Sequence, residues 1–458
     1  MKRLRNILAI TLAAGLASCG VYTKYERPSE ALAGLDSLYR ADLHPDTAQT
    51  LASLSWEELF ADPHLQALIR RGLEANTDLQ VARLQVEEAQ ATLRQSKLVY
   101  LPSANLTPEG TLSSFDGKKP QQTYSLGASV SWEIDLFGKL TNAKREARAA
   151  LLASDAYRQA VQTQVVATVA DSYYALLMLD EQISITRRMV ESWEEYVHAL
   201  EALLRAGQAD RATVNQARAS KLAAESSLET LVQQLVEQEN ALCAFLGETP
   251  RGVERGSMEG QSFPDTLRVG VPLDLLARRP DVRQAEAELM EAFYATNGAR
   301  SAFYPSITLS GSAGWTNSGG TAITNPGAWL LSAVGSLVQP LFNKGENIAN
   351  LKIAKARQEE ALLHFRQELL DAGNEVNDAL AQWQSARRRI RLDTAQAEHL
   401  AATLHDTSLL MQHSADVNYL QVITARQSLL SARLTVVQDR YDEIQGVIQL
   451  YHALGGAG

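Results

Sequence analysis

The central part of the chain repeats apolar residues at alternating steps of three and four positions. The series comprises Leu176, Leu179, Ile183, Val190, Trp193, Val197, Leu200 and Leu204. This spacing is typical of a helix that packs along a heptad-like seam. The surrounding stretch, 139–206, contains neither proline nor glycine, so a single helix about 100 Å long is predicted there. A second long helix is predicted at about 346–412, where Gly373 is the one glycine.

Between the helical stretches, short segments alternate small or polar residues with apolar ones. They lie at about 103–115 and 122–136, and again at about 306–317 and 327–340. This period of two predicts strands, and a turn-rich loop within each pair predicts two β-hairpins. An isolated hairpin is not stable, and four strands are too few to close a barrel around a lumen. Closure of a barrel would therefore require several copies of the chain.

The second half of the sequence repeats the first. Pro102 matches Pro305 at an offset of 203, and Val214 matches Val422 at an offset of 208, with further matches in the same order between them. Each repeat is therefore predicted to run helix, β-hairpin, long helix, helix. The predicted organisation is a signal peptide at 1–18, a lipid-anchored N-terminal segment at 19–55, a first repeat at 56–247, a linker at 248–273 and a second repeat at 274–458.

The N-terminus has the pattern of an export signal. A basic start at Lys2 and Arg3 is followed by an apolar stretch and by small residues before Cys19. This arrangement resembles a lipoprotein signal, which implies cleavage before Cys19, a diacylglycerol on its thiol and an acyl chain on its new amino group. Each buried CH₂ of such chains contributes roughly 0.8 kcal/mol to membrane binding. Gly20 in place of an aspartate favours the outer membrane. An ordinary secreted protein is the alternative.

Composition and charge narrow the possible functions. The chain has 458 residues, a formal charge of −10 and 45% hydrophobic residues, which excludes a disordered chain and disfavours a nucleic-acid binder. After the signal, no apolar run is long enough for a transmembrane helix, so a membrane crossing would need strands closed into a barrel. No zinc-binding, nucleophile or phosphate-binding motif is complete. We therefore expect no enzyme, no metal site and no nucleic-acid partner.

Four segments of the sequence resemble the outer membrane factor family, the TolC-like exit ducts, and especially the lipoprotein branch that serves resistance-nodulation-division (RND) efflux pumps. These segments are Tyr25–Pro28, Trp56–Leu65, Arg279–Glu286 and Gln339–Phe342. Their order, together with the lipoprotein signal and the repeat, carries the resemblance over nearly the whole mature chain.

The resemblance implies a mainly α-helical fold with a membrane β-barrel, assembled as a homotrimer. Three copies would place twelve strands in outer membrane lipid, and their long helices would form an α-helical barrel across the periplasm. The implied function is the exit duct of a tripartite efflux pump, with a periplasmic adaptor protein and an inner-membrane RND pump as partners. A type I secretion channel is the alternative within this class, and a lipid-anchored coiled-coil spacer is the alternative outside it. The sequence does not indicate the transported substrate.

The gate of such a duct is expected where the helical hairpins turn. Candidate gate residues are Asp416, Asn418, Tyr419, Asp210 and Arg211. Three copies of Asp416 around an axis would repel one another and concentrate cations, and the alternative is a solvated turn residue. For Asp210 and Arg211 the alternative is contact with a neighbouring hairpin or with the adaptor.

Three tryptophans lie in or beside the predicted strands, namely Trp132, Trp315 and Trp329. Aromatic girdles anchor membrane barrels at the two lipid–water interfaces, so these residues are candidates for that role. Packing at the junction of strands and helices is the alternative.

Overall fold

The computed structural model describes residues 22–28, 55–114, 116–118, 120–261, 279–316, 328–413 and 419–456. This described part contains eight α-helices and four β-strands. The first half contributes α1 (Trp56–Leu59), α2 (Pro63–Ala75), α3 (Thr77–Leu98), β1 (Ser103–Ser113), β2 (Gln121–Ile134), α4 (Lys139–Arg205) and α5 (Arg211–Phe245). The second half contributes α6 (Pro280–Ser301), β3 (Ser306–Thr316), β4 (Ala328–Val338), α7 (Glu346–His413) and α8 (Tyr419–Ala453).

The two halves have matching elements. The long helices α4 and α7 contain 67 and 68 residues, and α5 and α8 contain 35 residues each. The helices that precede the hairpins, α3 and α6, contain 22 residues each. The predicted fold class, a mainly helical chain of two tandem repeats, is therefore confirmed.

Local backbone chemistry separates each hairpin from the long helix that follows it. Gly138 has a φ of +72° immediately before α4, and Gly345 has a φ of +83° immediately before α7. Glycine adopts this left-handed conformation without the steric cost that a side chain imposes. The carboxylate of Asp135 then accepts hydrogen bonds from the backbone N–H of Leu140 at 3.2 Å and of Thr141 at 2.8 Å. These bonds satisfy donors that the first turn of a helix leaves without partners.

The four strands form one antiparallel sheet in the order β1-β2-β3-β4. The central pair joins the two repeats, with Gly127 opposite Gly314 and Trp132 opposite Leu309. A Cβ atom on Gly314 would lie 2.8 Å from the carbonyl oxygen of Leu126, so this crossing requires glycine. Every residue of β1 is exposed, so no described residue covers either face of this strand.

The chain divides into two compact units. The sheet unit comprises Met1–Ala33, Leu84–Ala156 and Arg283–Glu368, and the helical unit comprises Gly34–Arg83, Tyr157–Val282 and Leu369–Gly458. The main core of the helical unit includes the fully buried side chains of Phe60, Leu65, Ile69, Tyr173, Tyr174, Leu176, Leu177 and Leu450. Among the described residues, no helix combines the length and the apolar character that crossing a membrane requires.

Ion pairs hold the segment that follows α5 against α4 and α5. The guanidinium of Arg255 contacts the carboxylates of Asp180 and Glu239, each at 2.5 Å. Hydrogen bonds to these carboxylates raise the pKa of Arg255. Cys243 is a buried free thiol near the end of α5. Of the predicted linker at 248–273, the part from 262 onwards lies outside the described residues.

Candidate functional site

The turn between α4 and α5 forms one tip of the helical unit. The backbone N–H of Gln208 donates to the carbonyl of Leu203 at 2.8 Å, and Gly207 adopts a φ of +73°. This is the way in which a glycine beyond the last helical turn satisfies the free carbonyls of a helix end. The turn between α7 and α8 spans 414–418, which lies outside the described residues.

Asp210 serves as the N-cap of α5. Its carboxylate accepts a hydrogen bond from the backbone N–H of Thr213 at 2.7 Å and from the Thr213 hydroxyl at 3.1 Å. The bond from this backbone N–H, followed by the bond from the hydroxyl, lowers the pKa of Asp210. Arg211 is exposed, and its guanidinium makes no ion pair with any residue that the structure describes. Asp210 therefore has a local role in starting α5, and any part in gating would be additional to that role.

Tyr419 connects the second helical hairpin to the first. Its hydroxyl donates a hydrogen bond to the backbone carbonyl of Gln208 at 3.0 Å, and its own carbonyl accepts one from the hydroxyl of Tyr196 at 3.2 Å. Burial raises the pKa of Tyr196 to about 12, so its hydroxyl stays protonated and remains a donor. The start of α8 is thereby tied both to the α4–α5 turn and to the body of α4.

Arg426, one helical turn beyond Val422 on α8, provides a second connection to α4. Its guanidinium lies over the rings of Tyr196 at 4.8 Å and Trp193 at 5.8 Å. One terminal nitrogen donates to the carbonyl of Ser192 at 3.1 Å and also contacts the Ser192 hydroxyl. Burial lowers the pKa of Arg426, and its Nε atom has no hydrogen-bond partner among the described residues.

Arg426 was not among the predicted site residues, although the repeat contains a signal for it. Arg426 matches Arg218 at an offset of 208, and Arg218 forms an ion pair with Glu201 at 2.6 Å. The position that matches Glu201 at the same offset is Leu409, which has no charge. Arg426 therefore has no counterpart of the acidic partner of Arg218. It packs instead on the aromatic rings of Trp193 and Tyr196.

A separate core lies beneath these contacts. It joins α4, α5 and α8 through Met189, Trp193, Tyr196, Val197, Leu200, Val214, Ala217, Ala224, Val422 and Ile423. Because protein interiors are close-packed, displacement of the start of α8 would disturb this core as well as the hydrogen bonds of Tyr419.

Several predicted site residues lie outside this constellation. Cys19, Asp416 and Asn418 lie outside the described residues. Trp132 is 40% exposed on β2, and its indole N–H donates to the carbonyl of Tyr100 at 2.9 Å. Trp315 lies on β3 directly opposite Trp329 on β4, and the side chain of Trp329 is outside the described part. The interface role of the three tryptophans stays a prediction.

A profile of the outer membrane efflux protein family matches residues 68–248 and 271–456. The chain belongs to this family. CusC of Escherichia coli O157:H7, a cation efflux system protein, is 30% identical over 454 residues and covers 98% of this chain and 98% of CusC. SilC of Salmonella typhimurium, a probable outer membrane lipoprotein, is 30% identical over 458 residues and covers 99% of this chain and 98% of SilC.

A solved structure of CusC has the same fold. It aligns with a TM-score of 0.85 at 28% identity, over 95% of this chain and 99% of the CusC chain. The chain is therefore an outer membrane protein that serves as the exit duct of an efflux pump. The family is one of transport channels and not of enzymes.

Proposed function

We propose that this chain works as a homotrimeric, passive duct without catalytic activity. The observation that carries the proposal is the four-stranded sheet, in which β1 and β4 each pair on one side only. An unpaired strand edge exposes a row of backbone donors and acceptors, and lipid offers no partners for them. Pairing of β4 in one copy with β1 in the next would satisfy both edges.

The number of copies follows from the lumen that transport requires. About eight strands enclose only enough space for side chains, so two copies of a four-stranded sheet would form a filled barrel. Three copies would supply twelve strands and leave an open lumen. The exposure of β1 on both faces fits a strand with lipid on one side and water on the other.

The partners in this proposal are a periplasmic adaptor protein and an inner-membrane RND pump, which would select and energise the cargo. Because CusC is a cation efflux protein, metal cations belong in any cargo test beside organic amphiphiles. Service to a type I secretion system would appear instead as loss of an exported protein when the gene is deleted.

The gate in this proposal lies at the hairpin tips. Tyr419 and Arg426 hold α8 against α4, so an opening movement of the second hairpin must break their hydrogen bonds. Asp416 and Asn418, on the neighbouring turn, would then line the constriction. A ring of three Asp416 carboxylates would favour cations at this point.

A covalent lipid on Cys19 completes the proposal. Residues 22–28 belong to the sheet unit, where the hydroxyl of Tyr22 donates to the carbonyl of Leu136 at 2.7 Å. Arg27 makes two hydrogen bonds to the carboxylate of Glu286, at 2.7 and 2.5 Å. Cys19 precedes Tyr22 by three residues, which limits the distance between the Cα atoms of Cys19 and Tyr22 to about 11 Å.

The decisive experiment is measurement of the oligomer in detergent. Native mass determination should give three copies, and an unboiled denaturing gel should show an oligomer that boiling converts to the monomer. Reconstituted protein should also conduct ions in planar bilayers. A stable monomer that does not conduct would overturn the proposal.

A further inference from the structure

The sheet unit has two exposed faces that no other described element covers. The first, called the α7 face, consists of Phe342, between β4 and α7, and of Ile348, Lys352, Lys355 and Leu363 along α7. The second, called the α3 face, consists of Leu84, Glu88, Leu98 and Leu101 along α3 and before β1. The apolar members are well exposed, from 53% for Leu98 to 86% for Phe342. Apolar side chains at helical spacing on a surface indicate a docking face.

Within the same unit, the first repeat already packs against the second. The ring of Phe137, after β2, stacks on the ring of Tyr304, before β3, with centroids 5.2 Å apart and planes 11° from parallel. The guanidinium of Arg145 on α4 lies 5.6 Å from the ring of Tyr294 on α6. The first repeat therefore packs on the second through the residues around the strand–helix junction.

The repeat relates this internal contact to the two exposed faces. Phe137 matches Phe342 at an offset of 205, and Tyr304 matches Leu101 at an offset of 203. Phe137 is packed, whereas its counterpart Phe342 is 86% exposed and Leu101 is 60% exposed. Within one chain, the second repeat has no third repeat to pack on. A second copy of the chain would supply one.

Charges on the two faces are complementary. Glu88 matches Glu291 at an offset of 203, and Lys352 matches Arg145 at 207, the offset that also relates Gly138 to Gly345. Lys355 lies one helical turn beyond Lys352 and is also exposed. None of the three charged side chains of the two faces forms an ion pair with a described residue. In an antiparallel arrangement of α7 and α3, both lysines would lie near Glu88.

We infer that the α7 face of one copy packs on the α3 face of the next copy, with Phe342 against Leu101 and with Lys352 and Lys355 on either side of Glu88. The contact is head-to-tail, so each copy uses both faces and the assembly closes only as a ring. This inference rests on the proposed trimer and names the residues that select the neighbouring copy. It also places the contact beside the β4 and β1 edges, where the strands of two copies would pair.

Charge reversal tests the ion pairs. Glu88→Lys should lower the trimer fraction at limiting protein concentration by about fivefold, because it places like charges at each contact. Lys352→Glu with Lys355→Glu in the same chain should restore the trimer. Glu87→Lys is the matched control, because Glu87 is also exposed but lies about 100° around the helix; its trimer fraction should be unchanged.

Crosslinking tests the apolar contact. A chain with both Phe342→Cys and Leu101→Cys should form a covalent trimer with a short bifunctional thiol reagent, and neither single variant should. Phe342→Cys with Leu222→Cys is a further control, because Leu222 is 64% exposed but lies on α5. A wild-type trimer with neither charge rescue nor crosslink would overturn this contact and leave the trimer intact. A monomeric wild type would overturn both.

Discussion

The hydroxyl of Tyr419 donates a hydrogen bond to the backbone carbonyl of Gln208 at 3.0 Å, across 211 positions of sequence. This bond joins the start of α8 to the turn between α4 and α5. A neutral hydrogen bond at the surface contributes about 1 kcal/mol. In the proposed gate, a bond of this size would favour the closed tip by about fivefold for each copy.

The first prediction concerns this bond. Tyr419→Phe keeps the ring and removes the donor, so the open state should gain about fivefold in population for each copy. Single-channel recordings in planar bilayers should show a higher open probability, while the oligomer keeps its size. Tyr157→Phe is the matched control, since it removes a hydroxyl from a partly exposed ring of α4. Equal recordings from the wild type and Tyr419→Phe would remove the bond from the gate.

The second prediction concerns Arg426. Arg426→Met keeps much of the apolar stem and removes the hydrogen bonds to Ser192 and the contact with the Tyr196 ring. Amide hydrogen exchange at the start of α8 should then accelerate by about fivefold, whereas the end of α8 should exchange as before. Arg218→Met, at the equivalent position of the first repeat, loses only an exposed ion pair with Glu201 and should leave α8 unchanged. Equal acceleration in both variants would contradict a specific tie.

The third prediction concerns Asp416. Asp416→Ala removes the proposed ring of three carboxylates, so cation selectivity and conductance in planar bilayers should change. Asp406→Ala is a control that removes one carboxylate from α7 at a distance from the turn. If the Asp416 variant conducts with wild-type selectivity, Asp416 is a solvated turn residue.

Much of the fold could be predicted because its signals are local. The stretch that became α4 lacks proline and glycine, whereas each loop between a hairpin and a helix contains at least one of these two residues. The repeat then predicted the second half from the first. Internal symmetry is visible in the sequence because the matching elements of the two halves share much of their packing.

The tip contacts could not be predicted in the same way. The acceptor for the Tyr419 hydroxyl is the backbone carbonyl of Gln208. Every residue type has such a carbonyl, so the amino acid at position 208 does not indicate the bond. The partners of Arg426 are aromatic and come from a different helix, and only the missing counterpart of Glu201 indicated a change. Long-range contacts of this kind depend on how the helices pack, which the sequence pattern does not specify.

The last prediction concerns the polar cluster below α2. The hydroxyl of Tyr173 donates to a carboxylate oxygen of Asp62 at 2.6 Å, and the side-chain amide of Gln261 donates to the same oxygen at 2.8 Å. Burial alone would raise the pKa of Asp62, but these bonds outweigh it and hold the pKa below its ordinary value of 3.8. Tyr173→Phe should lower the free energy of unfolding by about 1–2 kcal/mol at neutral pH, allowing for partial exposure of the carboxylate.

The lowered pKa of Asp62 also makes the stability contributed by this cluster depend on pH. A depressed carboxyl pKa stabilises the folded state above the unfolded value of 3.8, and the stabilisation disappears as the pH falls through the folded value. The stability difference between wild type and Asp62→Asn should therefore shrink between neutral pH and pH values below 3.8. Asp78→Asn, at an exposed carboxylate in the first turn of α3, is the control for removal of one surface charge. Thermal unfolding across that range measures both variants, and a constant difference for Asp62→Asn would exclude the charged form of Asp62 as the stabilising species.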